Sequence, residues 1–332
     1  MAASVVDPGF GPFAFRAGPW ELSGLAHVSG NQYYGVGDTG ALLVPLTIGV
    51  NAATGAVTGV AFAPPVVLAG GVDLEGVAFD PPTSTVLVSD ETGSAIRRHD
   101  PASGALLGAL AVPSVFGSAR VNRSLESLSL DPGSGELWTA NEDALVPDGP
   151  ATTFAAGSVV RLQRFDVAGA PDGQWAYPTD AIPGGAIGGP ETSGVVDLLA
   201  LPSGELLVME RSLSSPFFFQ VRIYQVDLTA ATDTSVLSGL IGASYTAAAK
   251  TLLWTSEEAG QFSNFEGLSL GPQLDDGSMS LLLVADDNAT RNQALYPLRL
   301  TFVPEPGAAT LLSAALAALA FARRRYSSGA CR

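Results

Sequence analysis

The sequence predicts an all-β fold, with a β-propeller as its most economical architecture. Short apolar runs such as Val86 to Ser89 and Leu281 to Val284 are typical of buried strands. Turns separate these runs, since the chain contains 38 Gly and 23 Pro. A two-strand unit also recurs five times along the chain, and repetition on this scale indicates a propeller or another repeat architecture.

Each repeat unit contains a small or acidic residue, a short strand, a turn and a second strand that ends in Asp, Asn or Glu. Glu75, Glu126 and Glu266 begin the three most similar units. The five units begin at positions 23, 75, 126, 197 and 266, so they are separated by 52, 51, 71 and 69 residues. One four-stranded blade takes about 40–50 residues, so residues 12–302 predict six blades, with insertions or one degenerate blade in the longer gaps. An array of β-sandwiches would not explain why acidic residues recur at the same two points.

The acidic composition excludes several classes of protein. The 332 residues include 16 Lys and Arg against 32 Asp and Glu, which gives a formal net charge of −16. Such a chain cannot easily assemble the basic face that binds nucleic-acid phosphates. With 47% hydrophobic residues it is also unlike a disordered acidic protein. Cys331 is the only cysteine and there are two histidines, which excludes a Cys-ligated zinc site and leaves little room for a multi-His one.

Acidic residues occupy two equivalent slots of the repeat. The first slot holds Glu75, Glu126 and Glu266, and the second holds Asp38, Asp90, Asn141, Glu210 and Asp286. Equivalent positions converge on the axis of a propeller, where carboxylates repel one another unless a cation such as calcium, which prefers oxygen ligands, compensates them. The structural alternative is that Asp and Asn cap turns at the strand ends. The predicted calcium ligands are Glu75, Asp90, Glu126, Glu266, Asp286, Asp287 and Asn288.

The same residues carry a resemblance to a known family. From about Glu21 to Leu300, the chain resembles the phytase-like domain of secreted bacterial proteins, whose activity is described as esterase-like. The resemblance implies a six-bladed propeller with a calcium-rich acidic face and phosphoesterase activity. The motifs that carry it are, in order, Asp73-Leu74-Glu75-Gly76, Ser89-Asp90-Glu91, Asn122-Arg123-Ser124-Leu125-Glu126, Met209-Glu210-Arg211, Asn264-Phe265-Glu266-Gly267 and Ala285-Asp286-Asp287-Asn288.

Three residues beside these motifs are the catalytic candidates. Arg211 and Arg123 adjoin motif carboxylates, and a guanidinium can hold phosphate oxygens in a bidentate manner. Glu210 completes the set, although Glu210 and Arg211 could equally form a structural ion pair between blades. Propeller phytases carry many lysines around the phosphates, whereas this chain has only Lys250. Phytate is therefore a poor candidate substrate.

The C-terminal thirty residues differ from the rest of the chain. Val303-Pro304-Glu305-Pro306-Gly307 precedes an uncharged segment at 308–322 and then Arg323, Arg324 and Arg325. This order resembles the PEP-CTERM sorting signal of Gram-negative bacteria, which implies export, cleavage by an exosortase and a transient inner-membrane helix over 308–322. Residues 1–11 lack the basic and apolar regions of a secretory signal, so we expect the true start to lie upstream. The predicted domains are a lead at 1–11, a propeller at 12–302 and a sorting tail at 303–332.

The sequence thus predicts an exported, surface-associated, calcium-binding propeller that acts as a metal-dependent phosphoesterase or esterase. The predicted substrate is a small phosphate ester or ester, and nucleic acid is excluded. One alternative is a non-catalytic propeller that binds exopolysaccharide or matrix components. Another is a calcium-dependent, lactonase-like hydrolase. The binding alternative requires exposed aromatic residues, for which the candidates are Trp20, Trp175, Tyr177 and Phe217-Phe218-Phe219.

Overall fold

A computed structural model of the chain describes residues 2–16, 18, 21–37, 40–185, 191–214, 218–286 and 292–303. These residues form β-strands joined by turns and loops, with one short 3₁₀ helix at Ser114–Ser118. In chain order the strands are β1 (Ala2–Val6), β2 (Phe13–Arg16), β3 (Leu22–Ser29), β4 (Gln32–Gly37), β5 (Leu42–Val50), β6 (Val57–Phe62), β7 (Val66–Val67), β8 (Leu74–Asp80), β9 (Thr85–Asp90), β10 (Ala95–His99), β11 (Leu106–Ala109), β12 (Ser129–Leu130), β13 (Leu137–Ala140), β14 (Val159–Phe165), β15 (Pro171–Pro178), β16 (Thr192–Ala200), β17 (Leu206–Ser214), β18 (Phe218–Asp227), β19 (Ala249–Thr255), β20 (Phe265–Gln273), β21 (Met279–Ala285) and β22 (Asn292–Val303).

The described strands form five antiparallel sheets, which are the blades of a β-propeller. Blade I contains β3 to β7, blade II β8 to β11, blade III β12 to β15 and blade IV β16 to β19. Blade V contains β20, β21 and β22, with β1 and β2 both paired to β22. The innermost strands β3, β8, β12, β16 and β20 contact one another in a closed ring. The N-terminal strand β1 pairs with β22, the last strand, and so completes blade V.

The prediction of six blades is wrong, because the described part of the chain contains five. Among the described residues, the two longer gaps between repeat units contain no further sheet. The gap after Glu126 contains long connections at 141–158 and 179–185, and the gap after Asp197 contains a connection at 228–248. Strands β16, β17 and β18 also run to nine or ten residues each. Loops and long strands, which the spacing alone does not distinguish from a blade, take up the extra length.

Apolar side chains between neighbouring blades form the core. Five clusters of buried residues lie in the five gaps between adjacent blades of the described ring. In the gap between blades IV and V, for example, Met209 and Ile223 pack with Leu268, Leu283 and neighbouring side chains. Each sheet therefore buries apolar residues on both faces, which explains why β9 and β21 are buried along almost their whole length.

Turn residues fix where the inner strands end. After β12, the carboxylate of Asp131 accepts a hydrogen bond from the backbone N–H of Gly133 at 2.7 Å, and Gly135 adopts a φ of +79°. An L-residue with a Cβ rarely adopts this left-handed conformation, so glycine suits the turn. The turn sends the chain back along β13 and so sets the register of the blade.

The described propeller extends further towards the N-terminus than the boundary predicted at residue 12. Strand β1 lies within the predicted lead, and its pairing with Arg299–Val303 makes it an integral part of blade V. Residues 304–332, which include the predicted apolar helix at 308–322, lie outside the described residues. Within the described residues, no helix is long and apolar enough to span a membrane.

Candidate functional site

A β-bulge interrupts each inner strand near its beginning. In blade II, Leu74 pairs with Asp90 but Val77 pairs with Val88, so Glu75 and Gly76 together oppose Ser89. Strands β3, β16 and β20 shift register by one residue at the equivalent point, and in blade III the same shift lies between the bridge Leu125–Asn141 and β12. A bulge re-aims the extra side chain and commonly adjoins a functional site. The residues at the bulges are Ser23, Glu75, Glu126, Val196 and Glu266.

Carboxylates from blades II and III converge at the end of the channel where these bulges lie. Glu91, Glu126 and Glu142 each offer a carboxylate oxygen, and these three atoms lie within 4.8 Å of one another. A second such group is formed by Asp73, Glu75 and Glu91. Glu91 belongs to both groups, so the five residues form one continuous cluster. We call this end of the channel the acidic mouth.

The acidic mouth holds its carboxylates in an unfavourable electrostatic environment. Burial raises the pKa of Glu126 well above its ordinary value, and the charges of Glu75, Glu142 and Glu91 raise it further. Burial also raises the pKa of Glu91, whose carboxyl shares a hydrogen bond with that of Glu126. The pKa of Asp73 is raised by burial and by the nearby Asp90. Either protons or a cation must therefore compensate part of this charge.

Two arginines supply positive charge at the rim of this cluster. Arg211 donates hydrogen bonds to Glu266 and to the amide oxygen of Asn264, at 3.0 Å for the latter, and its second terminal nitrogen lies 3.4 Å from Glu142. Arg123 donates to Glu142 from the other side. The Nε atom of Arg211 is buried and has no hydrogen-bond partner among the described residues. It is therefore a free donor at the edge of the acidic mouth.

The structure brings some of the predicted ligands together and separates others. Glu75 and Glu126 belong to the acidic mouth, and Glu266 reaches it through Arg211. Asp286 accepts a hydrogen bond from Asn264 at 3.1 Å. Asp90 instead accepts from backbone N–H groups of the surrounding loops and pairs with Arg97 at 2.5 Å. Asp38 of the second acidic slot and the predicted ligands Asp287 and Asn288 lie outside the described residues.

Glu210 takes part in a different network of hydrogen bonds, which lies between blades III and IV. Its carboxylate accepts hydrogen bonds from the ammonium of Lys250 and the hydroxyl of Tyr177, both at 2.6 Å. The ammonium also bonds Asp180 at 2.7 Å and lies 4.2 Å from the ring centroid of Tyr224. Glu210 and Arg211 alternate across strand β17, so one side chain enters this network while the other faces the acidic mouth. The only lysine of the chain is thus used in packing two blades together.

Sequence reasoning missed the importance of Glu91 and Glu142. Glu91 directly follows Asp90 and Glu142 directly follows Asn141, and both of these preceding residues belong to the second acidic slot. The side chain of Asn141 is used within blade III, where it bonds the backbone of Asp143 and Arg161. The signal that could have found the pair was the position directly after the second acidic slot, which holds Arg211 in blade IV. Alternation along a strand makes this one-residue offset decisive.

Asp197 separates the acidic mouth from the rest of the channel. It follows the bulge of β16, at the level where Gly24, Gly76, Ser127 and Gly267 stand in the other blades. Its carboxylate accepts hydrogen bonds from the backbone N–H groups of Leu198 at 2.8 Å, of Leu268 at 2.6 Å and of Leu128. Burial raises its pKa well above the ordinary value, against the opposing effect of these hydrogen bonds. Asp197 therefore ties three inner strands together across the channel.

The donor set of the acidic mouth suits a hard divalent cation. All its ligand atoms are carboxylate oxygens, they are clustered closely enough to share one ion, and their mutual repulsion favours a bound positive charge. The absence of cysteine and histidine from the described cluster disfavours a softer metal. The residues present therefore fit calcium, with Glu91, Glu126 and Glu142 as the more buried of the two groups.

One family model and several distant solved structures match the chain. The family model described as "Phytase-like: Esterase-like activity of phytase" matches residues 20–289. No curated protein matches the chain.

Among solved structures, a luciferin-regenerating enzyme is 15% identical, with a TM-score of 0.38 over 88% of this chain and 96% of that chain. A streptogramin B lyase is 9% identical, with a TM-score of 0.34 over 87% and 98%. Hydrazine synthase from Kuenenia stuttgartiensis is 11% identical, with a TM-score of 0.37 over 82% of this chain but only 58% of its own length. Similarities this distant assign neither an activity nor a ligand.

Proposed function

This chain belongs to the phytase-like family, and from that premise we propose that its acidic mouth binds calcium and hydrolyses small phosphate esters or carboxylic esters. One observation carries the proposal. The carboxylates of Glu91, Glu126 and Glu142 meet within 4.8 Å beside two arginines, one of which, Arg211, keeps a free buried donor. Carboxylates alone would form a cation site, whereas the adjacent arginines favour a ligand that is itself anionic or becomes so during reaction.

The residues of the acidic mouth have different proposed roles, which depend on their positions. Glu91, Glu126 and Glu142 would hold calcium, and a calcium ion there supplies positive charge that polarises a phosphoryl or carbonyl oxygen. Arg211 and Arg123 would orient the substrate by donating hydrogen bonds to its oxygens. Burial strongly raises the pKa of Glu126, so its ionised, ligating form would depend on the positive charge of the bound ion.

Glu210 supports this arrangement from a distance. Its hydrogen bonds with Lys250 and Tyr177 fix the second strand of blade IV, and the neighbouring residue on that strand is Arg211. We therefore propose a positioning role for Glu210. The same network occupies Lys250, so the chain offers no described lysine for the dense charges of phytate. A small monoester is a better match than phytate.

The cellular context is proposed from the C-terminal tail alone. Its resemblance to an exosortase signal supports export across the inner membrane of a Gram-negative bacterium, with transient membrane insertion over 308–322 and a final location at the cell surface or outside the cell. The tail from Val303 onward contains four Arg against one Glu, so the net negative charge of the chain lies in the residues that precede it. Substrate and calcium would then be met outside the cytoplasm.

One observation favours a second function, the binding of an exopolysaccharide without catalysis. Phe218 and Phe262 are 39% and 40% exposed, and their rings stack with centroids 4.3 Å apart. They lie near the ends of blades IV and V that carry Ser214 and Asn264, on the side of the acidic mouth. Such a platform suits the apolar face of a sugar ring. The other described candidates do not, since Tyr177 and Phe219 are buried and Trp175 packs against Trp138.

Hydrolysis of a matched panel of aryl phosphates and aryl esters by the full-length chain tests the proposal. We expect turnover in calcium that is abolished by EDTA and restored by further calcium. Glu126→Gln should lower kcat about 10–100-fold, because it removes a carboxylate that would hold calcium. Glu258→Gln, on the exposed connection before β20, is the matched control and should leave turnover unchanged.

The two functions predict different outcomes. Absence of turnover with every substrate, with and without calcium, would contradict the hydrolase. Retention of the chain on an immobilised neutral polysaccharide, lost in Phe218→Ser, would then support the binding function. Turnover of esters without release of phosphate from any monoester would restrict the proposal to carboxylic esters.

A further inference from the structure

The other end of the channel contains a cavity whose lining is mostly apolar. Its volume is about 630 Å³, within the range of about 300–1,000 Å³ found for small-molecule sites. All five inner strands line it with residues that follow their bulges, for instance Leu25, Ala78, Leu128, Ala200 and Leu268. The cavity therefore lies on the propeller axis, and Asp197 stands between it and the acidic mouth. We call this end the apolar mouth.

Apolar side chains remain partly exposed around the opening of this cavity. Phe79, Leu110, Leu130 and Leu270 are half-buried, and Val167 is 72% exposed. Surface hydrophobic residues are common when scattered singly, but these five come from three blades and surround one opening. Their grouping indicates that the opening is suited to an apolar ligand.

The charged groups at the opening are already paired within the protein. Arg98 donates to Asp80 at 2.5 Å and to Thr85 at 2.6 Å. Asp131 accepts from backbone N–H groups of its own turn, and so does Asp166. The ring of His27 bonds the carbonyl of Gly30 at 2.8 Å. A charged ligand would have to leave its water without gaining a partner, which is costly.

From these observations we infer that the apolar mouth is a binding site for an uncharged, predominantly apolar small molecule. The burial of apolar surface supplies its affinity, and the paired rim charges supply its selectivity against ions. The site shares no lining residue with the acidic mouth, and it stands whether or not that mouth hydrolyses esters. The propeller thus has two sites on one axis, with opposite chemistry.

Titration of the full-length chain with Nile red, a neutral dye whose emission depends on polarity, tests this inference. We expect saturable binding of one dye per chain with a shift of emission to shorter wavelength. Val167→Asp should weaken binding at least fivefold, because it places a carboxylate at the opening. Val236→Asp is the matched control, since Val236 is 88% exposed and does not line the cavity. Glu126→Gln should bind the dye as the unaltered chain does.

Three results would overturn the inference. They are the absence of saturable binding, equal weakening by the two valine substitutions, and binding of the anionic dye 1-anilinonaphthalene-8-sulfonate as tightly as the neutral one. If Val167→Asp lowers the melting temperature, Leu110→Asp, at another residue that lines the cavity, provides the same measurement. A rise in the melting temperature of the unaltered chain with dye would show independently that the dye binds the folded state.

Discussion

The two mouths of the channel are built from the same five inner strands but have opposite chemistry. At the acidic mouth, bulges turn Glu75 and Glu126 towards other carboxylates and two arginines. A few residues further along the same strands, Leu25, Leu128 and Leu268 line an apolar cavity. The backbone is nearly repetitive, so the difference arises from side chains and from the bulge. Fold alone therefore locates the axis, and the residues at each level decide what can bind there.

The comparison depends on Asp197, which lies between the two mouths, and its removal should have the largest effect. Asp197→Ala leaves backbone N–H groups of Leu128, Leu198 and Leu268 without their acceptor in a buried site. Each buried donor left unpaired costs about 1–3 kcal/mol, so we expect a loss of about 3 kcal/mol or more in the free energy of unfolding. Urea denaturation measures this loss.

The matched control is Asp227→Ala, because Asp227 is exposed and caps a single turn N–H at Thr229. Its effect on the urea midpoint should be far smaller. Asp197→Asn keeps one acceptor oxygen and should fall between the two. Equal midpoints for Asp197→Ala and Asp227→Ala would show that the carboxylate does not hold the inner strands together.

Arg211→Met should have the next largest effect, and only at the acidic mouth. The substitution leaves Glu142, which is almost fully buried, and Glu266 short of a cation. Breaking a fully buried pair costs about 3–5 kcal/mol, and since Arg211 is 13% exposed we expect about 2–3 kcal/mol in calcium-free buffer. The extra negative charge should also make the stabilisation by calcium larger than in the unaltered chain. Thermal unfolding with and without calcium measures both quantities.

Arg299→Met provides the control for this substitution. Arg299 pairs with Asp276, which is largely exposed, and surface pairs contribute little. Nile red binding at the apolar mouth should be the same in both variants. A calcium response in Arg211→Met no larger than that of the unaltered chain would argue against a cation at the acidic mouth.

Much of the fold could be predicted from the sequence, because strands and turns leave local patterns. The repeat units at Glu75, Glu126 and Glu266 do coincide with three of the inner strands. The number of blades could not be predicted by spacing, since an extra blade and a long connection such as 228–248 occupy similar lengths. The role of β1 was also hidden, because its pairing with β22 joins residues almost 300 positions apart.

The candidate site was predictable only in part. Glu75 and Glu126 follow from the repeat, but Glu91 and Glu142 depend on which side of a strand faces the axis. A bulge changes that side by one residue, and no local pattern in the sequence marks it. The pairing of Glu210 with Lys250 was equally hidden, since these residues lie on different strands, 40 positions apart. The apolar mouth has no motif at all, because leucines that line a cavity resemble leucines in a core.

The smallest predicted effect concerns pH and tests the electrostatic difference between the mouths directly. The pKa of Glu126 is raised in the folded state, so the fold retains its proton at pH values where the unfolded chain has lost it. The resulting stabilisation is complete below the ordinary glutamate pKa and is lost as the pH rises through the raised value. Without calcium, the unaltered chain should therefore lose stability as the pH rises from 4.5, whereas Glu126→Gln, which cannot ionise, should lose less.

Denaturation midpoints for the two chains should diverge with pH, while Glu258→Gln should follow the unaltered chain. Calcium should reduce the divergence, because a bound cation stabilises the ionised carboxylate that the channel otherwise disfavours. Parallel curves for Glu126→Gln and the unaltered chain would mean that solvent already screens these carboxylates, and the two mouths would then differ in polarity but not in charge.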